Sequence, residues 1–214
     1  MRYSFIVLLS CLVLSTCVKT VSDKIEDKVE IEPPGSYTFS ESFIWSYVNV
    51  DNIRIQKKDK KSIYVLMSGD QYSLKTNKEK YQSYCDKYDD TGFNKYLDYL
   101  SKAVVNGFQS IHVYLDSECI DDEVIIKYSS CKEFINSQYT YPEGVIEGSI
   151  ADVYSAYIQY DKAISDLKAG DLLLMDTEFV LELKTLQENN KLNIRIEMIG
   201  ADGKTLSATK MVQF

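Results

Sequence analysis

From Phe179 to Val212 the side chains alternate along the chain with a period of two, and nothing else in the sequence restricts the fold as much. An extended chain sends successive side chains to opposite faces, so this period is the mark of a half-buried strand. Phe179-Val180-Leu181-Glu182-Leu183 leads through Asn189-Asn190 into Leu192-Asn193-Ile194-Arg195-Ile196-Glu197-Met198. Gly200-Ala201-Asp202-Gly203 then turns the chain into Thr205 to Val212. Alternation joined by Asn and Gly turns predicts a three-stranded antiparallel meander.

The same period appears after Ser36. Tyr37, Phe39, Phe43, Trp45 and Tyr47 fall on one side of an extended chain, with Ile44, Val48 and Val50 among those on the other. Ile53 to Gln56 and Ser62 to Met67 predict a hairpin around Lys57-Lys58-Asp59-Lys60-Lys61, whose lysines read as a solvated turn rather than a basic docking site. Phe108 to Leu115 and Val124 to Tyr128 are further strands. Phe93, Leu97, Leu100 and Val104 are spaced four, three and four apart and predict a helix, capped by Asp90 or Thr91 and stopped at Asn106-Gly107. Lys75 to Asp89 is polar and rich in tyrosine and reads as loop or short helix. Asp161 to Lys168 reads as a short helix, with Leu172 to Leu174 packing inward. Short strands with polar connections predict a mainly β domain over residues 36–214: an antiparallel immunoglobulin-like β-sandwich with one or two short helices. The antibody-type Cys…Trp…Cys signature is absent, so the likeness is one of architecture.

The first residues carry an address. Arg2, an apolar core from Phe5 to Leu14, and small polar residues leading to Cys17 predict a signal peptide over residues 1–16. Ten or so apolar residues are too few for a bilayer, which needs about 20. Leu14-Ser15-Thr16-Cys17 resembles the lipobox of bacterial lipoproteins, in which the cysteine becomes the acylated N-terminus; Thr16 stands where Gly, Ala or Ser is usual. Residues 17–35, closing in Glu32-Pro33-Pro34-Gly35, read as a lipid-anchored, flexible tether. The competing reading is an ordinary cleaved leader with Cys17 incidental.

Cleavage after residue 16 leaves 214 − 16 = 198 residues and 24 − 1 = 23 basic against 32 acidic side chains. That balance argues against nucleic acid, whose binding rests on neutralising phosphates, and against anionic lipid surfaces. With Cys11 removed in the leader and Cys17 acylated, Cys85, Cys119 and Cys131 remain, an odd number that allows at most one disulfide. Cys119 with Cys131 is the pair closest in sequence, and three buried thiols are the alternative.

Candidate chemistry is sparse. His112 is the single histidine, so any Ser-His-Asp or Cys-His site would need it, and a multi-histidine metal site is excluded. It falls on the more polar face of its strand, which suits a structural or solvent-facing role. Asp116, Glu118, Asp121, Asp122 and Glu123 crowd around Cys119 without the Asp-x-Asp-x-Asp-Gly pattern of a calcium loop. A carboxylate-pair hydrolase needs two acids at a fixed separation that sequence does not reveal. Seventeen tyrosines make aromatic contact the better lead. The stripe through Trp45 and Tyr47 reads as sandwich interior or, alternatively, with Tyr154, Tyr157 and Tyr160, as a ligand platform whose rings stack while hydroxyls hydrogen-bond.

The leader, the acidic tether, the Tyr- and Lys-rich β domain, and DKAISDLKAGDLLL followed by NKLNIRIEMIGADGKTLSATK resemble uncharacterised cell-envelope lipoproteins of Bacteroides-type bacteria, most closely over Tyr139 to Phe214. The resemblance implies an outer-membrane lipoprotein and supplies no catalytic residues. The expectation is a non-enzymatic binding or assembly module without cofactor or metal, held to the membrane through Cys17, its partner a glycan or an envelope protein. A glycan binder using exposed aromatics is the alternative, and a carboxylate-dependent hydrolase the reading from another class.

Overall fold

The Lys57–Lys61 turn closes as the alternation requires. Asp59 Oδ1 accepts from the backbone of Lys61 and Ser62, and Oδ2 from the Ser62 hydroxyl, which pins the reversal while the lysines stay exposed. The computed structural model describes residues 38–97, 101–140, 158–184 and 191–214. In chain order these form β1 (Thr38–Ser40), β2 (Ser46–Lys57), β3 (Ser62–Tyr72), α1 (Lys78–Tyr88), β4 (Lys95–Leu97), β5 (Lys102–Val104), β6 (Phe108–Leu115) and β7 (Glu118–Cys119). There follow β8 (Val124–Ser130), α2 (Lys132–Asn136), β9 (Ile158–Ala163), β10 (Met175–Leu183), β11 (Lys191–Gly200) and β12 (Thr205–Gln213).

The fold is mainly β and sandwich-like. A six-stranded sheet runs β5-β2-β3-β10-β8-β9 and a four-stranded sheet runs β12-β11-β6-β7, with β1 and β4 as a separate short pair. Alternation decides the inner faces: Ile194, Ile196 and Met198 of β11 are buried, as are Phe179, Leu181 and Leu183 of β10. Each such side chain contributes about 1.5–3 kcal/mol through removal from water.

The β11–β12 hairpin forms as expected, with Ile196 opposite Ala208. The meander does not: β10 pairs with β3 and β8 in the other sheet, and β11 pairs with β6. Period two marks a strand and its buried face, but not the sheet it joins. The Asn189-Asn190 turn lies outside the described residues.

The sheets meet along an edge. Lys57 Nζ donates to the Gln213 carbonyl at 2.6 Å and Lys210 Nζ to the Ile55 carbonyl at 3.0 Å, so each lysine bridges β2 and β12.

The described residues of Phe93 to Val104 do not form the expected helix. Its span holds β4 and β5, and β5 runs parallel to β2, pairing Tyr47 with Ala103, so the large sheet is not wholly antiparallel. Asn106-Gly107 ends a strand rather than a helix. The Asn106 amide accepts from Val50 N at 2.7 Å and donates to Val50 O at 2.8 Å, substituting for a neighbouring strand where β2 bulges between Val50 and Asn52. Asn106→Ala strands both backbone groups and is expected to cost about 1–3 kcal/mol in urea unfolding. The segment expected as a helix over Asp161 to Lys168 instead completes β9 and ends in a single 3-10 turn, Ile164–Asp166, while Leu172 and Leu174 pack inward as expected. The true helix, α1, lies within Lys75 to Asp89.

Beside the core between the sheets is a second cluster that includes Phe43, Ile44, Tyr47, Tyr81, Cys85 and Phe134. It gathers the start of β2, α1 and α2.

Candidate functional site

α1 starts at Asn77, whose Oδ1 accepts from Lys80 N at 3.0 Å. Positions 81, 84, 85 and 88 share one helical face, so Tyr81 and Cys85 are buried and Tyr84 and Tyr88 half-buried. Tyr47, fully buried, packs its ring against Tyr84 at 5.3 Å and Tyr88 at 5.9 Å. Tyr84 and Tyr88 lie 6.3 Å apart and nearly parallel at 10°, and Tyr72 of β3, directly opposite Tyr47, stacks on Tyr84 at 5.8 Å. The result is a half-exposed row of three tyrosines on a fixed aromatic base. Exposed lysines approach it: Lys80 Nζ lies 5.8 Å from both Tyr72 and Tyr84, and Lys87 Nζ lies 5.0 Å from Tyr88.

Asp90 fixes the base. Asp89 adopts the left-handed conformation at φ 57°, closing α1 and directing the next residue inward. The Asp90 carboxylate is fully buried and accepts four hydrogen bonds: Phe43 N at 2.8 Å, Ile44 N at 2.9 Å, the Tyr47 hydroxyl at 3.1 Å and the Tyr139 hydroxyl at 2.7 Å. Burial pushes this carboxyl above the usual range, opposed in part by those donors. Burial, then the nearby Asp90, raises the Tyr47 phenol far above its ordinary range, so Tyr47 remains a donor. Gln138 Nε2 donates to Asp89 at 2.8 Å, and the paired acids thus tie α1 to the residues following α2.

The expected platform residues separate. Trp45 is half-buried against the second cluster with Lys75 Nζ 5.6 Å from its ring, whereas Tyr47 is core. The stripe is broken by bends at residues 41–43: Phe39 is 54 % exposed while Phe43 is buried, and Ile44 and Val48 on the opposite side are buried as well. Tyr160 stacks on Tyr128 at 5.1 Å, and burial pushes its phenol up to about 12, so it is a packed edge residue rather than an open ring. Tyr37, Tyr154, Tyr157 and Cys17 lie outside the described residues.

His112 is half-buried, with Nδ1 2.7 Å from Asp121 Oδ2, while Asp121 Oδ1 accepts from Val113 N at 2.8 Å. Within the acidic run, Asp121 therefore has a structural role at the end of β7. Cys85, Cys119 and Cys131 are all free thiols; the first and third are buried and Cys119 is exposed, so the Cys119–Cys131 pairing does not form.

Tyr72, Tyr84, Tyr88 and Asp90 were not anticipated as a site. A signal existed: positions 81, 84, 85 and 88 have helical spacing once Tyr and Cys are counted as apolar. Comparison with protein-family models, curated proteins and solved structures gave no match to this chain. Among the described residues, no helix is long and apolar enough to cross a membrane.

Proposed function

We propose that this chain is a non-enzymatic binding module of the bacterial cell envelope, attached to the outer membrane through an acylated Cys17, and that it takes a glycan on the Tyr72-Tyr84-Tyr88 face. The carrying observation is the row itself: three half-exposed tyrosines held by buried Tyr47, which Asp90 anchors. Rings fixed before binding cost little entropy when a ligand arrives, and phenol groups combine an apolar surface with a hydrogen-bonding tip. Sugar rings offer the matching pair of C–H faces and hydroxyls.

We also read the sandwich as immunoglobulin-like. In support, β2-β3-β10-β8 and β12-β11-β6 follow the ABED and GFC orders of that architecture, with α1, β4 and β5 inserted between its second and third strands.

Calorimetric titration of envelope oligosaccharides tests the glycan reading. Tyr84→Ala is expected to weaken binding about tenfold, the equivalent of one aromatic contact of about 1.4 kcal/mol. Unchanged affinity in a Tyr84→Ala, Tyr88→Ala double variant, or no binding by the wild type, rejects it. The anchor is tested separately by intact-mass analysis of the protein expressed with its own leader in a Bacteroides-type host. A chain beginning at Cys17 and heavier by a diacylglycerol is expected, with that species absent from Cys17→Ala.

A further inference from the structure

We propose that His112, Cys119 and Asp121 form a binding site for one thiophilic divalent cation of the zinc class. A ring nitrogen of His112, the Cys119 sulfur and a carboxylate oxygen of Asp121 all lie within 4.8 Å of one another. Imidazole, thiolate and carboxylate are together a zinc donor set. Bond lengths of about 2.0–2.3 Å to a tetrahedral zinc place its ligand atoms about 3.3–3.7 Å apart. At the 4.8 Å limit the atoms need to close by about 1–1.5 Å, while the His112 Nδ1–Asp121 Oδ2 hydrogen bond at 2.7 Å opens if both atoms ligate; both are shifts of side-chain rotation.

The backbone brings these residues together. Asp116 and Ser117, at φ 48° and 90°, make the reversal between β6 and β7, with Leu115 opposite Glu118 and Tyr114 opposite Cys119. Directly paired residues share a face, and so do residues two apart on one strand, so Cys119 lies diagonal to His112 on the outer face of the small sheet. Ile120 N donates to Val113 O at 2.9 Å, and Asp121 is held from both oxygens, by Val113 N and by His112. Two of the three ligands are thus positioned before a cation arrives. The third, Cys119, is exposed and leaves an open path and a fourth position for water.

The donor set selects the ion. Calcium takes six to eight oxygens and gains nothing from sulfur or imidazole. Binding replaces the Cys119 thiol proton by the metal and releases that proton to solvent, so affinity rises with pH. The nearby carboxylates Asp116, Glu118 and Asp122 add an attractive field without being ligands.

The test is Zn²⁺ titration of the reduced full chain against a chelating dye, with Co²⁺ as a spectroscopic probe. One equivalent is expected, with a thiolate-to-cobalt charge-transfer band. Cys119→Ser and His112→Asn should each weaken Zn²⁺ binding by about 100-fold or more, at or beyond the loss typical of second-shell changes, and Cys119→Ser should abolish the band. Asp122→Asn, which removes only a solvent-screened charge, should weaken binding no more than about fivefold. Because Cys119 is exposed, its serine variant should keep the wild-type circular dichroism spectrum. Equal Zn²⁺ affinity in folded Cys119→Ser, or an equal loss in Asp122→Asn, overturns the proposal; the latter would indicate only a diffuse acidic patch.

Discussion

Replacing Asp90 with alanine is expected to lower the free energy of unfolding by about 3–5 kcal/mol, because it leaves two buried amides and two tyrosine hydroxyls without their acceptor. For a domain of this size that corresponds to a fall of roughly 6–20 °C in Tm. Asp90→Asn keeps one acceptor oxygen and should lose less; Tyr139→Phe removes a single donor and should lose about 1 kcal/mol. The carboxyl also has a pH signature. Burial raises its folded value above the unfolded one, so between the two the native state binds more protons. Stability from this group is therefore greatest below the unfolded value of about 3.9 and declines as pH rises through the folded value. Asp90→Asn should flatten that decline in urea midpoints measured across the acid range. An unaltered profile would mean that another acid, such as the half-buried Asp176, whose carboxyl desolvation also raises, dominates.

Gly69→Ala is expected to destabilise by at least about 3 kcal/mol, the upper range of overpacking. Gly69 faces Val50 at the β2 bulge, where an added Cβ would lie 2.1 Å from the Asn49 carbonyl oxygen and 2.8 Å from Val50 Cα. Both obstacles are backbone, so no rotamer change relieves them and the β2–β3 register must shift. Gly203 is the control: it has open space around the Cβ position and only its positive φ of 78° to resist substitution, so alanine there should cost about 1 kcal/mol. A chemical denaturation series on the two variants separates steric from conformational cost.

The β2–β3 hairpin and the strands β6, β8, β11 and β12 were legible because apolar residues recur at every second position over much of each and polar turns bound them; burial alternates strictly through β8 and along β11 from Ile194. The pairing partner of β10 was not, since alternation carries no information about which sheet a strand enters. Phe93 to Val104 misled through an accidental four-three-four spacing across two short strands. α1 was obscured because its buried face consists of tyrosines and a cysteine rather than aliphatic residues. The candidate site was legible only as a surplus of tyrosine. Asp90 resembled a helix cap, and nothing local indicates a carboxylate that joins segments 43–47, 81–90 and 139.

Lys57 and Lys210 have a consequence for life at high density. The far half of β2 lies beyond the short reach of β5, and β12 borders its own sheet, so the seam offers backbone groups to which another chain's strand could add. Each lysine occupies a carbonyl there and places a charged amine in the path of an incoming strand. Packed side by side on a surface, copies of this domain should slide past one another rather than zip into a continuous sheet.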